Sequence, residues 1–177
     1  MTGSSPGRGE RIPALLLALL LLCRCVSAAA AEPARSAVSG TVSGDVQQVG
    51  FRAMILKEAI RLNLAGAARN LDDGTVQFSL QGRSQRIRNA LASIRQGTQK
   101  SKNVTIQTSP STFDPGLTTF TVFGWTSTSR QITNSYDHVF TLRKDDRTVS
   151  QQEAQAEYQD ILRRTLSLED QAKLRGK

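Results

Sequence analysis

The stretch from Val42 to Arg52, Val-Ser-Gly-Asp-Val-Gln-Gln-Val-Gly-Phe-Arg, constrains the fold more than any other. It passes from an alternating strand through a glycine-bearing loop straight into an apolar-periodic helix. Over residues 37–44, Val38, Gly40, Val42 and Gly44 alternate with Ser39, Thr41 and Ser43, the pattern of a half-buried strand. From Phe51 the period changes: Phe51, Ile55, Ala59 and Leu62 recur at helical spacing, with Leu56 and Ile60 widening the stripe, and the helix should end near Asn63. The loop between them suits an anion. Its N-H groups can curl into a concavity, and the unsatisfied N-H groups and positive dipole end of the helix point the same way. Arg52 in the first helical turn opposes the macrodipole by about 0.3–1 kcal/mol, so it fits best where an anion neutralises both. Taken alone, these residues leave a solvated arginine at a helix start as an equal alternative.

The following elements are shorter. Ala67–Leu71 reads as a strand, Asp72-Asp73-Gly74 as a hairpin, and Thr75–Gln81 as a second strand with Val76, Phe78 and Leu80 alternating. Asn70 then sits at a strand end beside a tight turn, where turn-forming is its commoner role. Ser84 is placed to cap a second helix with Ile87, Ala90, Leu91 and Ile94 on its apolar stripe and Gly97 as its stop. Its outer face carries Arg86, Arg88 and Arg95, followed by Lys100 and Lys102, read as a solvated basic face. Residues 103–108 and 118–123 supply further strands around a loop with Pro110, Pro115 and Gly116. The order βαββαβ without a dinucleotide fingerprint predicts an α+β, ferredoxin-like sandwich: a mainly antiparallel sheet with two helices on one face. After Trp125 the composition turns polar, with Val139, Phe140 and Leu142 offering at most one short strand. Ser150-x-x-Glu153 then forms a capping box before an amphipathic helix bearing Ala154, Tyr158, Ile161, Leu162 and Leu166. Packing of this tail on its own domain is the default expectation.

The N-terminus reads as a leader. Arg8 and Arg11 precede an apolar run from Ala14 to Cys23, and small residues surround Ala31, so residues 1–31 are expected to be a signal peptide and the mature protein to be exported, periplasmic or secreted. A retained anchor is the minority reading, because the run is short and Arg24 would lie in any extended span. Both cysteines leave with the leader, which excludes a disulfide framework and a cysteine nucleophile. The mature chain loses three arginines and one glutamate and stays basic, at about +6 from a formal +8. Its basic residues are scattered among acids, so no nucleic-acid partner is expected. His138 is the only histidine, and with no cysteine or carboxylate cluster at ligand spacing neither a metal nor a cofactor is expected.

Two blocks carry a family resemblance. Gly44-x-Val46-Gln47-x-Val49-x-Phe51-Arg52 resembles the signature of the acylphosphatase family, and Leu62-x-Leu64-x-Gly66 followed by Arg69-Asn70-Leu71-Asp72-Asp73-Gly74-Thr75-Val76 resembles its other motif. The resemblance covers roughly residues 37–125 and implies the same fold, leaving residues 126–177 as a C-terminal extension. It implies a metal-independent hydrolase that splits the carboxyl-phosphate bond of small acyl phosphates and needs no membrane once the leader is removed; a monomer is expected. Arg52 would hold the phosphoryl oxygens, the loop Val46, Gln47, Gln48, Val49 and Gly50 would cradle them, and Asn70 would orient the attacking water. Where the family usually has Gly the chain has Gln48, a position at which activity stands to be impaired. The alternative is a non-catalytic anion- or protein-binding module on the same fold.

Overall fold

The computed structural model describes residues 1–3 and 34–175. The chain divides into two units, Met1–Glu32 and Pro33–Lys177, and the expected leader lies, apart from its first three residues, outside what is described. In the second unit the alternating segment forms β1 (Arg35–Asp45), and the loop leads into α1 (Phe51–Leu62). Then come β2 (Ala65–Asn70), β3 (Val76–Arg83), α2 (Ser84–Gln96), β4 (Lys102–Ser111) and β5 (Thr119–Ser127). A 3-10 turn at Thr128–Arg130 joins β5 to β6 (Ile132–Thr141), which is followed by α3 (Gln151–Thr165) and α4 (Leu168–Arg175).

The six strands lie in the order β4-β1-β3-β2-β5-β6. All neighbours are antiparallel except β2 and β5, which run parallel with Ala68 opposite Val122. The first four strands with α1 and α2 are the expected ferredoxin-like frame. Register follows the apolar alternation: Val38 faces Leu80 and Val42 faces Val76, so one sheet face collects the apolar side chains under the helices. Against it α1 buries Phe51, Ile55, Leu56, Ala59, Ile60 and Leu62, each large side chain contributing about 1.5–3 kcal/mol. Gly66 is required where β2 meets β3. It stands at φ +142, and a Cβ there would lie 2.0 Å from the Ser79 carbonyl oxygen.

Two expectations need correction. Ser84 is the first residue of α2, not its cap; the cap position is Arg83, because β3 runs directly into the helix and leaves no residue for a capping turn. Ser84 instead donates its N-H to Ala34 at 2.8 Å, and its hydroxyl meets that of Ser36 at 2.9 Å. The tail holds a ten-residue strand, β6, not at most a short one. Ile132, His138 and Phe140 are buried and Tyr136 is half-buried, while most of the other positions are exposed and polar, which masked the strand in the sequence. The expected tail helix, α3, packs on its own domain and shares a single core with α1 and α2, contributing Ala154, Tyr158, Ile161 and Leu162. Its capping box forms as read: Ser150 Oγ accepts from the Glu153 amide, and Glu153 accepts from the Ser150 amide.

The tail is also stitched to the end of α1. Asn63 takes the left-handed C-cap at φ 51, its Oδ1 accepts from the Arg143 amide at 2.8 Å, and the Arg143 guanidinium donates to the Ile60 carbonyl at 2.7 Å. A cation at a helix C-terminus is favourable. Asp146 gathers Arg83, Arg86 and Asn63 at the same end. Asparagine at this cap therefore both adopts the turn and recruits the tail, which glycine could not do.

Candidate active site

Strand direction brings the site together. Because β2 and β5 are parallel, their C-terminal ends lie side by side, with Asn70 two residues beyond Ala68 and Gly124 two beyond Val122. The N-terminus of α1 opens at the same end. Arg52, in its first turn, donates through Nη1 to the carbonyls of Phe123 at 2.6 Å and Gly124 at 2.9 Å. One nitrogen thus fixes the guanidinium, and Nη2 and Nε keep their hydrogens for a ligand. Burial pulls the Arg52 pKa below the ordinary arginine value, partly opposed by Tyr158, and the group remains cationic at neutral pH.

The loop before α1 is a donor surface. From Gln47 to Ala53 the backbone amides donate to no partner among the described residues, whereas Val46 N-H is used by Gly44 and Met54 N-H by Gly50. Left-handed residues at Gln48, φ 59, and Gly50, φ 77, bend the chain so that these amides precede and enter the helix. For Gln48 that conformation carries a strain of about 1–2 kcal/mol that glycine would not. Its side chain is exposed. Gly50 is the N-cap, and no side chain caps the helix, so the helix start is left for a ligand.

Asn70 is half-buried, and its Oδ1 is buried without a donor among the described residues. No bond holds the carboxamide, so it is free to turn its oxygen to a ligand. Asn70, Arg52, Val46, Gln48, Val49 and Gly50 all line one cavity of about 350 Å³. Gln47, assigned to the cradle on sequence, is not in its lining. Its side chain turns away to donate to the carbonyls of Leu71 at 2.7 Å and Thr75 at 2.9 Å, tying the loop to the hairpin that follows Asn70.

Sequence reasoning missed the far wall. Trp125, Arg130, Tyr158 and Leu162 line the same cavity, and they come from the last residue of the expected 37–125 domain or from beyond it. Trp125 packs on the buried His138, ring centroids 4.9 Å apart, and burial holds the His138 pKa down to about 4 with Arg52 adding to the shift. Burial pushes the Tyr158 hydroxyl up to about 12, so it stays neutral, while Arg130 and Arg52 act on it electrostatically. The only sequence signal for this wall was the apolar stripe holding Tyr158 and Leu162, which reads equally as core.

Comparison with known proteins agrees with this geometry. The acylphosphatase family model matches residues 38–122. The acylphosphatase of Chlorobaculum tepidum is 46% identical over 66 residues, covering 37% of this chain and 72% of that protein. That of Syntrophotalea carbinolica is 44% identical over 68 residues, covering 37% and 74%. Among solved structures, the crystal structure of acylphosphatase from Bacillus subtilis aligns at 33% identity and a TM-score of 0.44, covering 46% of this chain and 90% of that one. With two motif blocks on one cavity and two relatives matched over most of their length, the chain belongs to the acylphosphatase family.

Proposed function

We propose that the protein hydrolyses the carboxyl-phosphate bond of small acyl phosphates, giving carboxylate and phosphate. The observation that carries this is the convergence on one cavity of the unpaired amides at the start of α1, the half-free guanidinium of Arg52 and the unheld carboxamide of Asn70. An acyl phosphate has a carboxylate as leaving group, which departs without a proton. Positioning and charge stabilisation therefore suffice.

Arg52 would grip two phosphoryl oxygens through Nη2 and Nε, and the loop amides would donate to the others as charge spreads over them in the transition state. Asn70 Oδ1 would accept from the attacking water and aim its oxygen at phosphorus, in line with the departing carboxylate. A bond forms from water oxygen to phosphorus as the bond from phosphorus to acyl oxygen breaks. An amide is not a base, so the water proton passes to a phosphate oxygen. The sequence leader supports export of the mature enzyme.

The test is release of phosphate from benzoyl or acetyl phosphate by residues 32–177. Turnover well above a heat-killed control is expected. Binding of phosphate without turnover, by protein shown to be folded, would overturn the proposal in favour of the non-catalytic anion-binding module.

A further inference from the structure

The start of α1, Arg52 and Asn70 supply only part of the cavity's lining. The cavity, about 350 Å³, is within the range of pockets that enclose a small organic ligand, about 300–1,000 Å³. Much of the rest of its lining comes from segments outside the family match at residues 38–122: the end of β5, the 3-10 turn, and α3. Among the described residues three cations line it, Arg52, Lys100 and Arg130, and no carboxylate does.

These cations have different places. Arg52 is committed to the phosphoryl end. Lys100 follows α2 beside Thr98, whose hydroxyl donates to the Val49 carbonyl at 3.3 Å, so it belongs to the phosphate-loop side. Arg130 ends the 3-10 turn, lines the cavity and acts on Tyr158 of α3, and it makes no ion pair among the described residues. An arginine without a carboxylate at the rim of a basic cavity is a fork waiting for an anion. Tyr158 feels both Arg130 and Arg52, Trp125 packs on the His138 that Arg52 also acts on, and with Leu162 they give the same cavity a wall of aromatic and apolar surface.

We propose that this wall is an acyl-group subsite, in which Trp125 and Tyr158 flank the acyl body and Arg130 pairs with a second anionic group on it. The preferred substrates are then acyl phosphates of acids carrying a further carboxylate or phosphate remote from the reacting bond. This rests on the hydrolase reading of the same site, which it extends from the phosphoryl end to the leaving group.

The experiment compares kcat/KM for benzoyl phosphate and 4-carboxybenzoyl phosphate, which share a reacting centre and differ by one remote charge. The wild type should favour the carboxylated substrate by about fivefold to tenfold through KM, and the preference should shrink as salt is raised. Arg130→Gln should bring the ratio to about one, and Arg130→Glu should invert it by like-charge repulsion. Lys100→Gln should lower both substrates alike. A wild-type ratio of one, or a ratio unchanged in Arg130→Gln, overturns the subsite. Absence of turnover on both substrates sinks the hydrolase reading instead, and the subsite is then decided by calorimetry with benzylphosphonate and 4-carboxybenzylphosphonate: the same Arg130-dependent preference supports it, and equal affinity overturns it.

Discussion

The side-chain amide of Gln47 donates to the main-chain carbonyl of Leu71, 24 residues away, at 2.7 Å. The loop that offers amides to the phosphoryl group is thereby fastened to the residue after Asn70. A second bond, to the Thr75 carbonyl, holds the other side of the same turn. In the proposed mechanism water and phosphorus would be held by two different segments of chain, and Gln47 ties those segments together.

Gln47→Ala should therefore act on rate more than on affinity. Two partly buried hydrogen bonds are lost, which should cost about 1–3 kcal/mol in urea unfolding. A loosened Asn70 should lower kcat by about tenfold, while inhibition by inorganic phosphate changes little. An unchanged kcat in the destabilised protein would show that the hairpin is positioned without this tie.

Arg52 and Asn70 should fail in different ways. Arg52→Ala removes contacts made in both ground and transition states, so phosphate affinity should fall and kcat drop by about a hundredfold or more. Lysine at 52 should restore little, because a point charge cannot hold the Phe123 and Gly124 carbonyls and fork the phosphate together. Asn70→Ala should keep phosphate affinity, since loop and arginine remain, and lose kcat by about a hundredfold. Steady-state kinetics with phosphate as inhibitor, alongside circular dichroism, decide this. Wild-type kcat in folded Asn70→Ala would remove the amide from the mechanism.

The boundary of what the sequence shows follows the range of its signals. The strand-loop-helix of residues 42–62 was legible because each step is local: alternation, a glycine-bearing loop, then helical periodicity. Arg52 and Asn70 were legible only through motif spacing, since nothing in either residue's neighbourhood shows that they share a cavity. The side-chain bonds of Gln47 to the Leu71 and Thr75 carbonyls were not legible, because no periodicity reports a side chain turning away from its own loop. The far wall was invisible for a related reason. Arg130 and Tyr158 meet the site only because β5 runs parallel to β2 and α3 folds back over α1, a tertiary result of pairing that local pattern does not encode.

Gln48 tests how far local strain was tolerated. It holds φ 59 with an exposed side chain, so glycine should release about 1–2 kcal/mol of strain and give back about 0.5–1 in chain entropy. Gln48→Gly should raise the urea midpoint slightly and leave kcat/KM for acetyl phosphate equal or higher. Lower stability would mean that the carboxamide makes a contribution larger than the strain it carries.

His138 makes stability depend on pH in a window of its own. The ring is fully buried, neither nitrogen has a partner among the described residues, and burial with the nearby Arg52 charge holds its pKa to about 4, below the ordinary 6.5. The unfolded chain takes up a proton at the higher value and the folded chain only at the lower, so the stability tied to the neutral ring is fully present above pH 6.5 and lost as pH falls towards 4. Between pH 6.5 and pH 5 this amounts to about 2 kcal/mol. Carboxylates do not confuse the interval: Asp170, held down to about 2 by Lys173 and Tyr136, keeps its contribution above its ordinary value of 3.8 and loses it only below that. His138→Leu keeps an apolar contact for Trp125 and removes the titration, so its unfolding free energy should be flat from pH 7 to pH 5 while the wild type declines. Parallel urea titrations of the two proteins at pH 7, 6 and 5 measure the difference directly, and equal slopes would place the acid sensitivity elsewhere in the fold.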